Sequence, residues 1–228
     1  LKTTGFAVSL GKRLKWADDL FSLVYALNIT RYDLLNYPIF DQNFRTGTSN
    51  NVSFKIGLQR SSVFNPIFPT SGSNILASVQ LTPPYSLFNK NISSSDNKYK
   101  NPEYHKWRFN AEWFVQIGKA MGADKSRQLV LKMAAKYGFM GRYNKKLDYS
   151  PFERFQVGDA GLTNNFGLLG YDIVAHRGYP VYQTSDPTVN PDQQNATQFF
   201  TIFNKYTLEL RMPLVTNPSS TIYALTFF

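Results

Sequence analysis

An all-β fold, read as an antiparallel transmembrane β-barrel present in part, is the class this 228-residue sequence predicts. Three observations predict it. Apolar and polar residues alternate with period two along all but the last of eight segments, which gives each of these one apolar and one polar face. The segments run to roughly the 9 to 11 residues that a tilted transmembrane strand needs. Their connections alternate short and long, as in outer-membrane barrels, where short periplasmic turns oppose long external loops.

The segments follow in order. In "GFAVSLGKRL", Phe6, Val8 and Leu10 oppose Gly5, Ala7, Ser9, Gly11 and Arg13. "LFSLVYALNITRY" sets Phe21, Leu23, Tyr25, Leu27 and Ile29 against Ser22, Ala26, Asn28 and Thr30. "VSFKIGLQRS" sets Val52, Phe54, Ile56 and Leu58 against Ser53, Lys55, Gly57 and Gln59, and the softer "NILASVQLT" follows with Ile75, Ala77, Val79 and Leu81 against Ser78 and Gln80. The clearest is "HKWRFNAEWFVQIG", where Trp107, Phe109, Ala111, Trp113, Val115 and Ile117 oppose Lys106, Arg108, Asn110, Glu112 and Gln116. "LVLKMAAKYGF" sets Leu129, Leu131, Met133 and Tyr137 against Lys132 and Lys136. "YTLELRMPLV" sets Tyr206, Leu208, Leu210 and Met212 against Thr207, Glu209 and Arg211, and "TIYALTFF" has no clear polar face. Charges stand mid-strand on one face only, while the other face is large and aromatic; that is an apolar exterior around a wet lumen. Short turns fall at "KWADD", "NPIFPTSGS", "KAMGADKS" and "TNPSS", and long loops at 33–51, 83–104 and about 142–204.

Composition narrows the function. A formal charge of +10 would suit a nucleic-acid partner, but no zinc-ligand spacing, RNA-binding sheet signature or basic helix accompanies it, so none is expected. With no cysteine and two histidines, disulfides and zinc chemistry are not expected, and no cofactor is. No stretch reaches the roughly 20 apolar residues of a membrane helix, and the mean hydropathy is −0.32. The chain opens on Leu-Lys-Thr-Thr without a signal segment and reads as a mature or partial polypeptide. Asp172, His176 and Ser150 or Ser185 allow a Ser/His/Asp idea, but no Gly-x-Ser-x-Gly elbow supports it, so no catalytic residue is expected. His105, at a strand end, suits a membrane interface.

The long loop carries the functional expectation. Its glycines, Gly158, Gly161, Gly167 and Gly170, supply turns of a folded loop, and a loop of about 60 residues with its own apolar content is usually functional. The lumen is where it can fold. Arg177 in "AHRGY" requires a carboxylate if it enters that space, and Gly178 allows the close turn that presents it. Glu209, on the inward face of the next strand, is the expected partner, with Glu112 a second candidate. The alternative is an arginine on an exposed loop tip, whose ion pairs would be worth about 0 to 1 kcal/mol.

Several motifs resemble the BamA-type β-barrel assembly proteins, an insertase family that also includes TamA-type and two-partner-secretion transporters. "SPFERFQVGDAGLTN", with Pro151, Phe152, Phe155 and Gly158, resembles the family's entrance to loop six; "HRGY" resembles its Arg-Gly-Phe/Tyr tip; "FNPIFPTSGS" resembles its turn between strands eight and nine. "YTLELRMPL" is similar to strand twelve and "TIYALTFF" to strand thirteen. His176 stands where the family has an aliphatic residue, and "GDAG" replaces a double glycine. The resemblance covers Val52 to Phe228 and implies strands six to thirteen of a 16-strand barrel, all of 1–228 belonging to one barrel domain, with POTRA domains and the other strands outside this chain. It implies Arg177, Gly178 and Tyr179 at a loop tip paired with Glu209, and a non-enzymatic role in folding and inserting outer-membrane proteins. Implied partners are unfolded outer-membrane protein clients, accessory lipoproteins of an assembly complex and the lipid bilayer of the cell outer membrane. The rival readings are a complete eight-strand barrel acting as adhesin or small pore, a TamA-like or two-partner-secretion translocation pore, and a soluble lipid-binding β-protein.

Overall fold

The computed structural model describes residues 1–16, 18–36, 46–88, 99–121, 127–158, 170–176, 199–217 and 220–228. Eight long strands form one antiparallel sheet: β1 (Lys2–Leu14), β2 (Phe21–Leu34), β3 (Gly47–Ser61), β4 (Gly72–Leu81), β5 (His105–Met121), β6 (Arg127–Gly141), β10 (Ile202–Asn217) and β11 (Ser220–Phe227). They pair in chain order, with β6 joined to β10 across the long loop. Three short strands inside that loop, β7 (Phe155–Gly158), β8 (Asp172–Ala175) and β9 (Phe199–Phe200), form a second sheet in the order β8-β7-β9, and β7 and β8 run parallel. The one helix among the described residues, α1 (Tyr85–Phe88), is a single turn whose Ser86 hydroxyl donates to Glu103 at 2.8 Å.

The sheet is open. β1 pairs with β2 alone and β11 with β10 alone, so the eight strands do not close on themselves, and the complete eight-strand barrel is set aside. Among the described residues, the outer edges of β1 and β11 have no strand partner.

The pleat separates the faces as the alternation predicts. Trp107, Phe109 and Trp113 are exposed by 51%, 38% and 38%, whereas Lys106, Arg108 and Glu112 point to the opposite face, where the loop packs. A sheet whose apolar side is bare and whose charged side is covered is built for lipid outside and water within. At the loop end of β5, an imidazole and indole pair faces outward: Trp107 Nε1 donates to His105 Nδ1 at 3.0 Å, and Phe139 and Tyr143 flank the imidazole ring. This is where a barrel places its interfacial aromatic belt.

Two boundaries differ from the sequence reading. β2 extends to Leu34 and β3 starts at Gly47, so the connection expected over 33–51 is shorter by several residues. The added segment, Gly47–Asn51, is polar on both faces and shows no alternation. β10 carries a register shift between Pro213 and Val215, the kind of break where a proline without an N–H is tolerated.

Candidate functional site: the loop anchorage on the charged face

Register stacks the charged side chains in rows. Lys55 lies opposite Gln80, and Gln80 opposite Lys106; one row along, Ser78 lies opposite Arg108, and Arg108 opposite Gly138. The long loop descends onto these rows. Lys106 has no solvent exposure, and its ammonium reaches Asp172 Oδ2 at 2.7 Å, the Glu153 carbonyl at 2.5 Å and Glu153 Oε2 at 3.6 Å, with the Phe155 ring 4.8 Å away. A cation removed from water is tolerated only with such company. Arg108 Nη1 donates to both Asp172 oxygens at 2.7 and 2.6 Å, and its Nη2 donates to Gln80 Oε1 at 3.2 Å. One aspartate of the loop is therefore gripped by two cations of one strand.

A neutral network extends the grip. The buried Tyr104 hydroxyl accepts from Gln80 at 3.0 Å and from Asn51 at 3.1 Å, and Gln80 also donates to Ser53 at 3.1 Å. Glu153 sits in the left-handed region at φ 63. That backbone aims its carbonyl at Lys106, and such a conformation costs an ordinary residue about 1–2 kcal/mol. Burial pushes the Glu153 carboxyl above the usual range, while Lys106 pulls it down and Asp172 adds to the rise. Gly170, at φ +75, lies against it; a Cβ there would stand 2.4 Å from Glu153 Oε1.

The loop entrance packs as rings. Phe152 is fully buried and stacks on Tyr32 of β2 with centroids 4.4 Å apart and planes 6° apart. Phe155 is also fully buried and meets Phe203 of β10 edge-on at 4.8 Å. Both Phe155 and Phe203 lie on Gly138 of β6, where a Cβ would come within 2.6 and 2.2 Å of their atoms. The Pro151 carbonyl accepts from the Tyr171 hydroxyl at 2.8 Å, and Gly158 pairs with Ala175.

The opposite end of the charged face is held differently. The β3–β4 turn reaches across three strands, so that Phe68 is buried with Phe114 and Val130 and touches Tyr223 of β11, with centroids 5.2 Å apart. Asn65 Oδ1 accepts from the backbone N–H groups of Ile67 and Phe68 and fixes the turn. The Arg211 guanidinium lies 5.6 Å from the Phe114 ring and 5.9 Å from the Tyr223 ring, and it holds Glu209 at 2.9 and 2.5 Å.

The residues expected from sequence are placed as follows. Glu209 and Glu112 both lie on the charged face: Lys132 reaches Glu209 at 3.7 Å and Glu112 at 3.5 Å, and Lys136 reaches Glu112 at 4.0 Å. Arg177, Gly178 and Tyr179 lie outside the described residues, as does the expected pairing of Arg177 with Glu209. Asp172 is engaged by Lys106 and Arg108, and Ser150 Oγ accepts from the Phe152 N–H at 3.1 Å. The Ser/His/Asp idea therefore finds both in structural roles. Sequence reasoning missed Asp172 and Glu153 as anchors. The available signal was a strand face with cations two residues apart, which calls for carboxylates from elsewhere.

Comparison with known proteins supplies the family. The Omp85 superfamily domain matches residues 1–228. No curated protein matches the chain. Among solved structures the chain is similar to BamA from Haemophilus ducreyi lacking POTRA domains 1–3, with 13% identity and a TM-score of 0.50, over 95% of this chain and 38% of that one. At that identity the likeness speaks for the fold, and the chain spans well under half the length of that relative.

Proposed function

This chain belongs to the Omp85 superfamily, and from that premise we propose that it is a section of an outer-membrane barrel whose intact protein folds and inserts other β-barrel proteins without chemical turnover. Its clients would be unfolded outer-membrane proteins, its surroundings the outer-membrane bilayer, and its helpers accessory lipoproteins of an assembly complex. The observation that carries the reading is the pinning of the long loop to the charged face through Lys106, Arg108, Asp172 and Glu153. At the seam of such a barrel, weakly paired strand edges template incoming strands by backbone pairing. A wall braced from inside resists distortion, so opening concentrates at the seam elsewhere in the barrel. Arg177 of the loop tip completes the brace by pairing with Glu209, which already accepts two other cations, Arg211 and Lys132.

The test is Arg177→Ala in the full-length protein. Assembly of client barrels in proteoliposomes should slow while the variant keeps its own heat-modifiable mobility. Unchanged assembly rates would overturn the pairing. Export of a single partner protein without any assembly of other barrels would replace insertion with secretion.

A further inference from the structure

The outer wall carries a feature at its rim that the charged face does not explain. β4 and β5 pair one rung beyond their ends: the Thr82 N–H donates to the Tyr104 carbonyl at 3.1 Å, and the Tyr104 N–H donates to the Thr82 hydroxyl at 2.8 Å. Tyr104 points to the charged face, where its hydroxyl meets Gln80 and Asn51. Its neighbours Glu103 and His105 therefore project to the outer side, because successive side chains of an extended chain alternate. His105 belongs to the aromatic belt, and the Tyr143 ring lies against it with centroids 5.4 Å apart. Glu103 is buried beside that belt. Burial raises the hydroxyls of Tyr85 and Tyr143, and the Glu103 carboxylate adds to both rises, so both rings border the carboxylate.

That carboxylate fastens α1 to the outer wall. One of its oxygens accepts from the Ser86 N–H and the other from the Ser86 hydroxyl, the latter at 2.8 Å. The Tyr85 and Leu87 N–H groups donate to the Pro83 and Pro84 carbonyls and close the turn. With Ser86 held on Glu103 and Tyr85 half-buried, the next two side chains, Leu87 and Phe88, are left 76% and 85% exposed. Two large apolar side chains standing together in water carry a cost that a bilayer boundary removes. We propose that α1 is a membrane foot: Leu87 and Phe88 insert into the outer leaflet of the bilayer beside the belt of His105, Trp107 and Tyr143, at the boundary between headgroups and acyl chains. Continuity with the belt decides the occupant. The exposed Trp107 indole marks the level of the lipid boundary on this wall, and α1 is tied to the same wall through the residue two places before His105. A protein partner seated there would have to displace lipid from the belt as well. This contact presupposes the barrel reading of the fold and not the insertion of clients.

The experiment is spin-label accessibility in the full-length protein reconstituted in phospholipid vesicles. This section has no cysteine, so single substitutions place the label, with any cysteine elsewhere in the protein changed to serine. Oxygen partitions into lipid, and a nickel chelate stays in water. The ratio of oxygen to chelate collisions at Phe88→Cys should exceed that at Lys145→Cys, on the exposed turn beyond Tyr143, at least about two-fold, as for a group about 5–10 Å into the headgroup boundary. Phe109→Cys, on the lipid side of β5, reports the wall itself and should give the highest ratio of the three. Glu103→Ala should free α1 and lower the ratio at 88 while 109 stays unchanged. Heat-modifiable mobility reports folding; if Glu103→Ala does not fold, Ser86→Ala carries that arm. A label at 88 that matches the one at 145 overturns the proposal, as does one shielded from both reagents, which would mean a protein partner. An unchanged ratio at 88 in the folded anchor variant overturns it too. A label at 109 that favours the chelate would sink the barrel reading with it. Lipid contact at 88 in a protein that fails to assemble clients would remove the insertion reading and leave this one standing.

Discussion

At the end where the long loop enters, the buried rings of Phe152 and Phe155 are joined by ions and hydrogen bonds: Lys106 and Arg108 on Asp172, Lys106 on Glu153, and Tyr104 with Gln80 and Asn51. At the opposite end the charged face is held by rings, with Phe68 of a turn wedged among Phe114, Val130 and Tyr223. The difference follows from what each end must join. A ten-residue turn can lay one phenyl across the sheet and gain from burial without directional demands. A long loop has many ways to collapse, and charged contacts select one of them, because a buried ammonium without its carboxylates is far worse than none. Both ends bury rings, but only at the loop end do buried ions fix where the segment lands.

The largest expected effect tests the ionic end. Lys106→Ala removes the fully buried cation and leaves Glu153 without its ammonium, a loss of about 3–5 kcal/mol in loop docking. Hydrogen exchange should accelerate across 150–158 and 170–176 while β5 and β6 stay protected; unchanged protection there would break the comparison. Phe68→Ala comes next, at about 3 kcal/mol for the lost ring and its cavity. Here exchange should rise at the 62–71 turn and in β11 and leave the loop untouched, so spread to the loop would show that the two ends act as one. The smallest effect is a pH dependence confined to the ionic end. Burial raises the Glu153 carboxyl, so the docked loop binds more protons than the released one. Its contribution is fully present below the ordinary carboxylate pKa and is lost as pH rises through the raised value. Exchange at β7 and β8, corrected for intrinsic rates, should quicken over that rise in the wild type and not in Glu153→Gln.

The eight long strands were legible because each has one face in lipid and one in water, and that contrast writes itself as alternation. Where both faces leave the membrane the signal fades, which is why Gly47–Asn51 looked like loop although it continues β3. β7 and β8 were illegible for another reason: Phe155–Gly158 and Asp172–Ala175 are too short for periodicity, and their parallel pairing joins segments far apart in sequence. Lys106 and Arg108 could be read as inward-facing, but their partner Asp172 lies in a segment without alternation, beside a histidine that drew the eye toward catalysis. Period two reveals which way a side chain points and says nothing of what meets it.

Gly138 sets the gap between loop and wall. Two phenyl rings rest where its missing side chain would be, so a single methyl introduced there would work as a shim, lifting the loop from the strand while leaving every charge in place. That position offers a handle for separating the mechanical part of the brace from its electrical part.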